Sequence, residues 1–325
     1  MTQQDRVTAG RRLSGDARPA RRPPPAGGGT WAIVLAAGEG RRVRALTTTA
    51  SGVAVPKQFC SLRGGVSLFE EALRMAAAVA PIERISTVVA ENHADWWRRS
   101  LAGLTPANVF VQPQNRGTAL GILFALLHIF ERDPHARVVV LPADHHVGDE
   151  AVLARALGQA VAGVRTRPAD ILLLGLTPEE PDTERGYIVP AGEVGDGSAP
   201  VAWFVEKPTI RDAQALIARG ALWNAFIIAA RATALIELFD RYDPGLLRRM
   251  RFAGRRANVS ADSSTALADL YLRERSVDFS HDIAQRYGAV FRVLRVPACA
   301  WTDLGTVQRV TKTLRAAGAM SGGQV

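Results

Sequence analysis

Short apolar runs alternate with amphipathic stretches along most of the chain. The runs that we predict to be strands are residues 32–37, 85–89, 109–111, 138–141 and 171–176. Continuous apolar strands separated by helices are typical of a parallel sheet that is covered on both faces and joined by right-handed crossovers. The pattern therefore predicts an α/β fold built on a Rossmann-like, doubly wound, mostly parallel sheet.

Amphipathic stretches between these runs predict helices over residues 67–79 and 117–131. The first opens with Ser67 and Glu70 at the spacing of a capping box, in which both side chains satisfy backbone N–H groups. Beyond residue 180 the pattern changes to RGYIV, VAWFVEKP and WNAFIIAA, which are typical of strands with longer connections. We expect this part to form a second lobe that extends the same sheet.

Residues 1–29 differ from the rest, because they are rich in Arg, Pro and Gly and almost lack large apolar side chains. Ordering such a segment costs conformational entropy with no apolar burial in return, so we predict a disordered basic tail. We expect one domain over residues 30–312, with halves at about 30–180 and 181–312, and a C-terminal tail over residues 313–325.

The net charge of +9 at pH 7 raises the question of a nucleic-acid partner. Residues 1–29 hold six arginines against two aspartates, so the charge that remains on the rest of the chain is mild. We therefore expect no specific nucleic-acid partner. DNA binding with a steep salt dependence that deletion of the tail abolished would reverse this expectation.

No segment approaches about 18 uninterrupted apolar residues, so we expect no membrane span. The tail has no apolar stretch of the kind that a secretory signal needs. The two cysteines, Cys60 and Cys299, make no disulfide framework. A cytoplasmic location is the expectation that follows.

Only three of the 40 basic residues are lysines, namely Lys57, Lys207 and Lys312. The ammonium of lysine is a compact point charge, whereas the guanidinium of arginine is a broad fork. Lys57 in VPKQF and Lys207 in FVEKP each lie beside a proline after an apolar stretch. We predict functional roles for these two lysines and attribute the presence of Lys312 to chance.

The first predicted strand ends in a glycine turn, GEG, that is followed by three arginines. It is no dinucleotide-binding fingerprint, because Val43 stands where the third glycine should be, and this also opposes a nicotinamide-dependent oxidoreductase. It is no Walker A loop either, since no Gly-Lys-Ser/Thr follows. Gly38 and Gly40 would let backbone amides approach a phosphate, and Arg42 would bind it through bidentate hydrogen bonds.

Further polar residues follow predicted strands at the edge where parallel sheets bind ligands. Residues 112–119, QPQNRGTA, follow the third strand, and LPADHHV places Asp144 just beyond the fourth. Asp144 and Asp303 are candidate ligands for Mg²⁺, which takes one or two carboxylates together with substrate phosphates. His145 and His146 do not favour zinc, because neighbours in an extended segment point to opposite sides.

No arrangement for nucleophilic catalysis is visible in the sequence. There is no Gly-x-Ser-x-Gly motif, and neither cysteine has an evident histidine partner. A cation-rich edge with two candidate metal carboxylates instead favours direct displacement at phosphorus, in which the protein positions the reactants and offsets charge.

Eight segments then resemble, in their order, a known family. They read LAAGEGRRVRALT, PKQF, QPQNRGTA, LPADHHV, RGYI, FVEKP, WNAF and WTDLGT. Together they resemble the sugar-1-phosphate nucleotidyltransferases, and PKQF and RGTA are most similar to mannose-1-phosphate guanylyltransferases. The match covers residues 31 to about 312.

The resemblance implies an enzyme that joins a hexose 1-phosphate, with mannose 1-phosphate favoured, to a nucleoside triphosphate, with GTP favoured. The products would be an NDP-sugar and pyrophosphate, formed by Mg²⁺-assisted in-line attack on the α-phosphate. The first half would bind the nucleotide and the second half the sugar phosphate. A homo-oligomer is one option that the sequence leaves open.

The resemblance also implies roles for single residues. The nucleotide would contact Gly38, Gly40, Arg42, Gln112, Gly117 and Thr118. The sugar phosphate would contact Gly186, Glu206, Lys207 and Asn224. The catalytic residues would be Arg42, Lys57 and Asp144, and the metal ligands Asp144 and Asp303. Asp282 in FSHDI is a further candidate.

Three positions depart from the family pattern. Arg41 stands where Thr is common, Ala45 where Pro is common, and Phe226 where Gly is common. Phe226 bears on sugar identity, because it lies close to Asn224 in sequence. Two alternatives follow: the same fold acting on another sugar 1-phosphate and nucleotide, or a non-catalytic regulatory protein that binds nucleotide sugars.

Overall fold

A nine-stranded sheet forms the centre of the computed structural model, which describes residues 28–62, 64–101, 103–195, 197–257 and 263–320. The strands are β1 (Thr30–Ala36), β2 (Ile85–Ala90), β3 (Val109–Gln112), β4 (Arg137–Pro142), β5 (His146–Val147), β6 (Ile171–Leu176), β7 (Gly186–Pro190), β8 (Ser198–Glu206), β9 (Leu222–Arg231), β10 (Phe291–Val296) and β11 (Trp301–Thr302). The large sheet has the order β3-β2-β1-β4-β9-β6-β10-β8-β7, and β5 pairs with β11 separately. All five predicted strands are confirmed.

Helices cover both faces of this sheet. They are α1 (Leu68–Ala77), α2 (Ala94–Ser100), α3 (Thr118–Arg132), α4 (Glu150–Thr166), α5 (Ile210–Ala218), α6 (Ala232–Tyr242), α7 (Pro244–Ala257), α8 (Ser263–Arg273) and α9 (Val307–Met320). One buried cluster joins the sheet to α3, α6, α7 and α8, and a second joins it to α1, α2, α4 and α5. Ile33 lies in the first cluster and Val34 in the second, as the alternation of side chains along a strand requires. The doubly wound fold is thus confirmed.

Both predicted helices form, and each begins where its local sequence indicates. The Ser67 hydroxyl accepts a hydrogen bond from the Glu70 N–H, and the Glu70 carboxylate accepts one from the Ser67 N–H, which completes the predicted capping box before α1. Gly117 precedes α3 with a φ of 83°, and a β-carbon there would lie 2.2 Å from the Val277 carbonyl oxygen. Only glycine suits this close approach.

The two predicted halves are not separate in the sheet. From the second half, β9 lies between β4 and β6 and is antiparallel to both, whereas β10 pairs in parallel with β6. Because β7 pairs with both β8 and β9, the strands β9, β6, β10, β8 and β7 close into a ring. The second lobe does extend the same sheet, but pairing between strands that are distant in sequence removes any boundary at residue 180.

The ordered domain reaches beyond both predicted ends. The Gly29 N–H donates to the buried Asp133 carboxylate at 2.7 Å, and the Gly28 carbonyl accepts from Arg137. At the other end, α9 continues through Met320. Residues 1–27 and 321–325, and with them most of the predicted disordered tail, lie outside the described residues. None of the described helices is long and apolar enough to cross a membrane.

The close approach of β9 to β6 depends on Gly175. A β-carbon at this position would lie 2.8 Å from Leu222 Cβ and 2.9 Å from Val293 Cγ2. Gly175→Ala should therefore lower the free energy of unfolding by about 1–3 kcal/mol, the usual cost of overpacking a core. Gly158 in α4 has no such neighbour within 4 Å, so Gly158→Ala should raise it by up to about 1 kcal/mol. Urea denaturation measures both values, and equal effects would contradict this packing.

Candidate active site

A cleft at the carboxyl edge of the sheet brings together most of the residues that the sequence singles out. Eleven of the thirteen residues that were assigned a role line it, namely Gly38, Arg42, Gln112, Gly117, Thr118, Asp144, Gly186, Glu206, Lys207, Asn224 and Asp303. The other two, Gly40 and Lys57, line an adjoining recess whose wall also includes Arg42 and Asp144. The predicted nucleotide and sugar-phosphate residues thus face one continuous space.

The glycine turn after β1 lies directly on Lys57. Gly40 has a φ of 57°, and a β-carbon there would lie 3.0 Å from Lys57 Cβ. The Gln58 side chain donates to the Gly38 carbonyl at 3.0 Å and to the Ala36 carbonyl at 2.7 Å, which fixes the turn. A 3₁₀ helix then begins at the arginines and directs Arg42 into the cleft.

The ammonium of Lys57 contacts both of the segments that carry the candidate metal ligands, Asp144 and Asp303. Its Nζ lies 2.8 Å from Asp144 Oδ2 and donates to the Asp303 carbonyl oxygen at 2.7 Å. Lys57 is only 7% exposed, so both contacts form away from bulk water. A compact point charge fits this position, in keeping with the predicted functional role of Lys57.

Asp303 is further held by a nearby arginine, which links it to a wider network of charges. Both of its carboxylate oxygens accept from Arg309 of α9 at 2.7 Å, and one accepts from the Gly305 N–H at 3.1 Å. Arg309 also pairs with Asp182, which in turn lies 3.2 Å from Arg185 Nε. Buried and part-buried charges of opposite sign therefore alternate through this network.

Both candidate metal carboxylates have depressed pKa values. Burial alone would raise the pKa of Asp144, but the charges of Lys57 and His145 outweigh it and lower that pKa. Burial would likewise raise the pKa of Asp303, and the nearby His145 and Arg309 lower it instead. Both groups are therefore anionic at neutral pH, although each disfavours the ionised form of the other.

This pair of carboxylates fits a hard cation that obtains its remaining ligands from substrate. Among the described residues, no group of three or more His, Cys, Asp or Glu side chains is arranged to hold a metal ion alone. Mg²⁺ characteristically uses one or two carboxylates together with phosphate oxygens and water. The donor set of Asp144 and Asp303 agrees with that chemistry.

The two adjacent histidines point to opposite sides, as predicted. His145 Nε2 lies 3.7 Å from Asp144 Oδ1, and its ring packs against Trp301 in the cleft. His146 instead contacts Glu71 of α1 at 3.0 Å. Burial lowers the pKa of His145 despite two neighbouring carboxylates. The two rings therefore do not converge on one point.

On the side of the cleft that is predicted to bind the nucleotide, the N-terminus of α3 opens into the cleft. Asn115 accepts from the Gly117 N–H at 2.9 Å, and the Thr118 hydroxyl accepts from the Phe279 N–H at 2.8 Å. The buried Gln112 side chain donates to the Tyr271 hydroxyl at 2.8 Å. Backbone N–H groups and amide side chains of this kind can orient a base and its phosphates.

On the opposite side, Gly186 makes room for Glu206. A β-carbon on Gly186 would lie 2.4 Å from Glu206 Oε2, and that buried oxygen has no hydrogen-bond partner. Burial raises the pKa of Glu206 to about 7. Lys207 Nζ lies 4.0 Å from Glu206 Oε1, and Asn224 donates to the Ser280 hydroxyl at 3.2 Å. The lining here therefore combines the cation of Lys207 with a buried oxygen of Glu206 that has no hydrogen-bond partner.

Several residues in the cleft or beside it, namely Glu184, Arg185 and Arg309, were not predicted from the sequence. Arg42 pairs with Glu184, and Arg185 stacks 3.8 Å from the ring centre of Trp223. Arg185 directly precedes Gly186 in the RGYI segment, so that motif offered a signal for it. Arg309 offered none, because it lies within a helix that resembles any other arginine-rich amphipathic segment.

Asp282, the further candidate in FSHDI, does not line the cleft. Its carboxylate accepts a hydrogen bond from the Asp278 N–H at 2.8 Å. Asp278 is the residue that does line the cleft, and it accepts from the Thr118 hydroxyl at 3.4 Å. The structure thus gives Asp282 a supporting position behind Asp278.

The chain resembles known nucleotidyltransferases over most of its length. The model of the family described as nucleotidyl transferase matches residues 31–317. The mannose-1-phosphate guanylyltransferase of Escherichia coli K12 is 33% identical over 237 residues, which are 67% of this chain and 46% of that protein. The xanthan biosynthesis protein XanB of Xanthomonas campestris is 29% identical over 278 residues, which are 84% of this chain and 57% of that protein. The chain thus spans about half the length of these relatives.

Solved structures share the same fold. One titled mannose-1-phosphate geranyltransferase, from Thermus thermophilus, superposes with a TM-score of 0.72 at 28% identity, over 87% of this chain and 79% of that one. A UDP-glucose pyrophosphorylase from Acinetobacter gives a TM-score of 0.55 at 17% identity, over 90% of this chain and 94% of that one. At that identity the second likeness concerns the fold alone.

The raised pKa of Glu206 predicts a pH dependence of stability. Between its ordinary value of 4.5 and about 7, the folded protein keeps a proton on Glu206 that the unfolded chain has released. The free energy of unfolding should therefore fall as pH rises through this window. Glu206→Gln removes this titration. The free energy of unfolding of the variant, relative to that of wild type, should therefore rise by on the order of 2 kcal/mol as pH increases from 5 to 8.

Urea denaturation at several pH values measures this change. Glu237→Gln, at an exposed position of α6, is the matched control and should leave the pH slope unchanged. Identical slopes for wild type and Glu206→Gln would refute the assignment.

Proposed function

The chain belongs to the nucleotidyl transferase family, and on that premise we propose that it joins a hexose 1-phosphate to a nucleoside triphosphate with release of pyrophosphate. One observation carries the proposal: Lys57 packs against the glycine turn and contacts the segments of both aspartates, where the cleft meets the adjoining recess. A triphosphate on one side and a sugar phosphate on the other would have their reacting atoms beside these charges.

The reaction is a displacement at phosphorus. A phosphate oxygen of the sugar 1-phosphate attacks the α-phosphorus and forms a new P–O bond. The bond from the α-phosphorus to the bridging oxygen breaks, and pyrophosphate leaves with that electron pair. Negative charge accumulates on the entering and leaving oxygens, so the protein contributes by positioning and charge stabilisation.

The cationic residues divide this task between them. Lys57, beside Asp144, offsets charge on the phosphate that is transferred. Arg42 and the backbone amides of the glycine turn hold the phosphates that leave. The Arg42 and Glu184 side chains are 54% and 43% exposed, so their ion pair is weak and phosphate oxygens can replace Glu184. Bidentate phosphate binding by Arg42 would more than offset the loss.

Asp144 and Asp303 are the residues that would hold a divalent cation, for which we propose Mg²⁺. The bound cation would offset the charge of the triphosphate and polarise its phosphoryl oxygens. On the far side of the cleft, Lys207 would bind the phosphate of the sugar and Glu206 its hydroxyl groups. A carboxyl group with a free buried oxygen suits that role, because an unpaired polar atom gains most from a new hydrogen bond.

Mannose 1-phosphate and GTP are the substrate pair that we propose. The PKQF and RGTA segments support this pair, and so does the 33% identity to the guanylyltransferase of Escherichia coli. Another pair of sugar phosphate and nucleotide is the main alternative, because Phe226 changes the lining of the sugar side. A purely regulatory protein is disfavoured by the ordered charges around Lys57.

Pyrophosphate release over a grid of sugar 1-phosphates and nucleoside triphosphates tests the function. We expect turnover with at least one pair and the highest kcat/KM with mannose 1-phosphate and GTP. Absence of turnover with every pair, in a folded protein that binds nucleotide, would favour the regulatory alternative.

The two aspartates should be essential for turnover in the presence of Mg²⁺. Asp144→Asn and Asp303→Asn should each lower kcat by about a hundredfold or more, the scale on which loss of a key electrostatic stabiliser acts. Asp240→Asn, at an exposed site on α6, should leave kcat unchanged. Chelation by EDTA should abolish activity, and full activity in EDTA would refute the metal assignment.

A further inference from the structure

The strand that carries Asn224 is distorted where it reaches the cleft. Asn224 pairs with Gly175 and Ile228 pairs with Leu173, so three residues of β9 lie opposite the single Leu174 of β6. This arrangement is a β-bulge, a feature that re-aims side chains and is frequent beside active sites. Side chains still alternate through the bulge, so Phe226 lies on the same face of the sheet as Ile228 and opposite to Ala225 and Ile227.

Phe226 lies at the centre of this bulge in the left-handed region, with a φ of 54°. A bulky residue is rarely found there, because its β-carbon crowds the backbone carbonyl oxygen. The Asn224 carboxamide oxygen accepts a hydrogen bond from the Phe226 N–H at 3.0 Å and holds the conformation. Backbone strain of this kind persists where surrounding contacts hold the strained conformation in place, and it clusters at functional sites.

The side chain of Phe226 faces the cleft together with polar residues. It lines the same space as Glu206, Lys207 and Asn224. Its ring contacts Phe279 edge-on, with 6.5 Å between the ring centres, and is only partly buried. The sugar side therefore has hydrogen-bonding groups on one part of its lining and an apolar aromatic surface on another.

We propose that Phe226 determines sugar specificity, by confining the subsite to hexose 1-phosphates without a bulky polar substituent. The inference rests on the proposed function and deepens it. The phenyl ring can cover a C–H face of a pyranose but offers no hydrogen bond to an amide. An acetamido group placed against it would lose its water without gaining partners, and it would compete with the ring for space.

Steady-state kinetics with matched substrates tests the proposal. A hexose 1-phosphate is compared with the N-acetylhexosamine 1-phosphate of the same ring configuration, at saturating nucleotide, by pyrophosphate release. Wild type should prefer the unsubstituted hexose in kcat/KM. Phe226→Ala and Phe226→Gly should each reduce that preference at least about tenfold, because the space beside Asn224 opens.

Phe130→Ala is the matched control. Phe130 is also a partly buried aromatic residue that packs on the same hydrophobic cluster, but it does not line the cleft. Its substitution should lower stability while leaving the ratio of the two kcat/KM values unchanged. A change of the ratio as large as that of Phe226→Ala would overturn the proposal.

Thermal unfolding tests the strain independently of turnover. In an ordinary strand glycine is less stable than alanine, whereas at a positive φ the order reverses. Phe226→Gly should therefore melt at a higher temperature than Phe226→Ala. The opposite order would show that the backbone at position 226 is not strained.

The possible failures are distinguishable. If wild type turns over a hexose 1-phosphate and neither Phe226 variant changes the ratio, the specificity role is wrong and the proposed function stands. If wild type turns over no sugar phosphate with any nucleotide, the proposed function fails and this inference fails with it.

Discussion

The site depends on one electrostatic constraint, which is that two negative charges must be held at the same cleft. The carboxylates of Asp144 and Asp303 repel each other, yet both stay ionised because cations surround them. Lys57 joins their two segments directly, and Arg309 binds both oxygens of Asp303. These residues come from a loop, a strand end and the last helix, so the charge network ties distant parts of the chain together.

The backbone around the cleft is strained in the same places. Among the described residues, positive φ values outside glycine occur only at Lys207, Phe226, Ala300 and Leu304. Each lies within two residues of a side chain that lines the cleft, such as Glu206, Asn224 or Asp303. Backbone strain at these positions therefore offsets part of the favourable free energy of folding and orients these side chains, as expected for a site that must be organised before substrate arrives.

Local patterns in the sequence were enough to predict the strands and helices that build the cleft. Buried strands such as β6 appear as apolar runs, and Ser67 and Glu70 mark the start of α1. Most site residues follow a strand end or lie in a segment that resembles a known family, so the cleft was predictable as a set. The interleaving of β9 between β4 and β6 was not, because pairing order depends on long-range packing. Arg309 and Glu184 were missed for the same reason, since their partners lie 127 and 142 residues away in sequence.

The central claim is that a compact cation at position 57 organises the reacting charges, and an exchange of lysine for arginine tests it most directly. Lys57→Arg keeps the charge, but the broader guanidinium cannot occupy a buried point 2.8 Å from Asp144 and 2.7 Å from the Asp303 carbonyl without displacing them. Lys312 pairs with Glu179 on the surface, where both side chains are about 70% exposed, so Lys312→Arg is the matched control. The account predicts that kcat for pyrophosphate release falls at least about tenfold in Lys57→Arg and is unchanged in Lys312→Arg. Wild-type kcat in Lys57→Arg would contradict it.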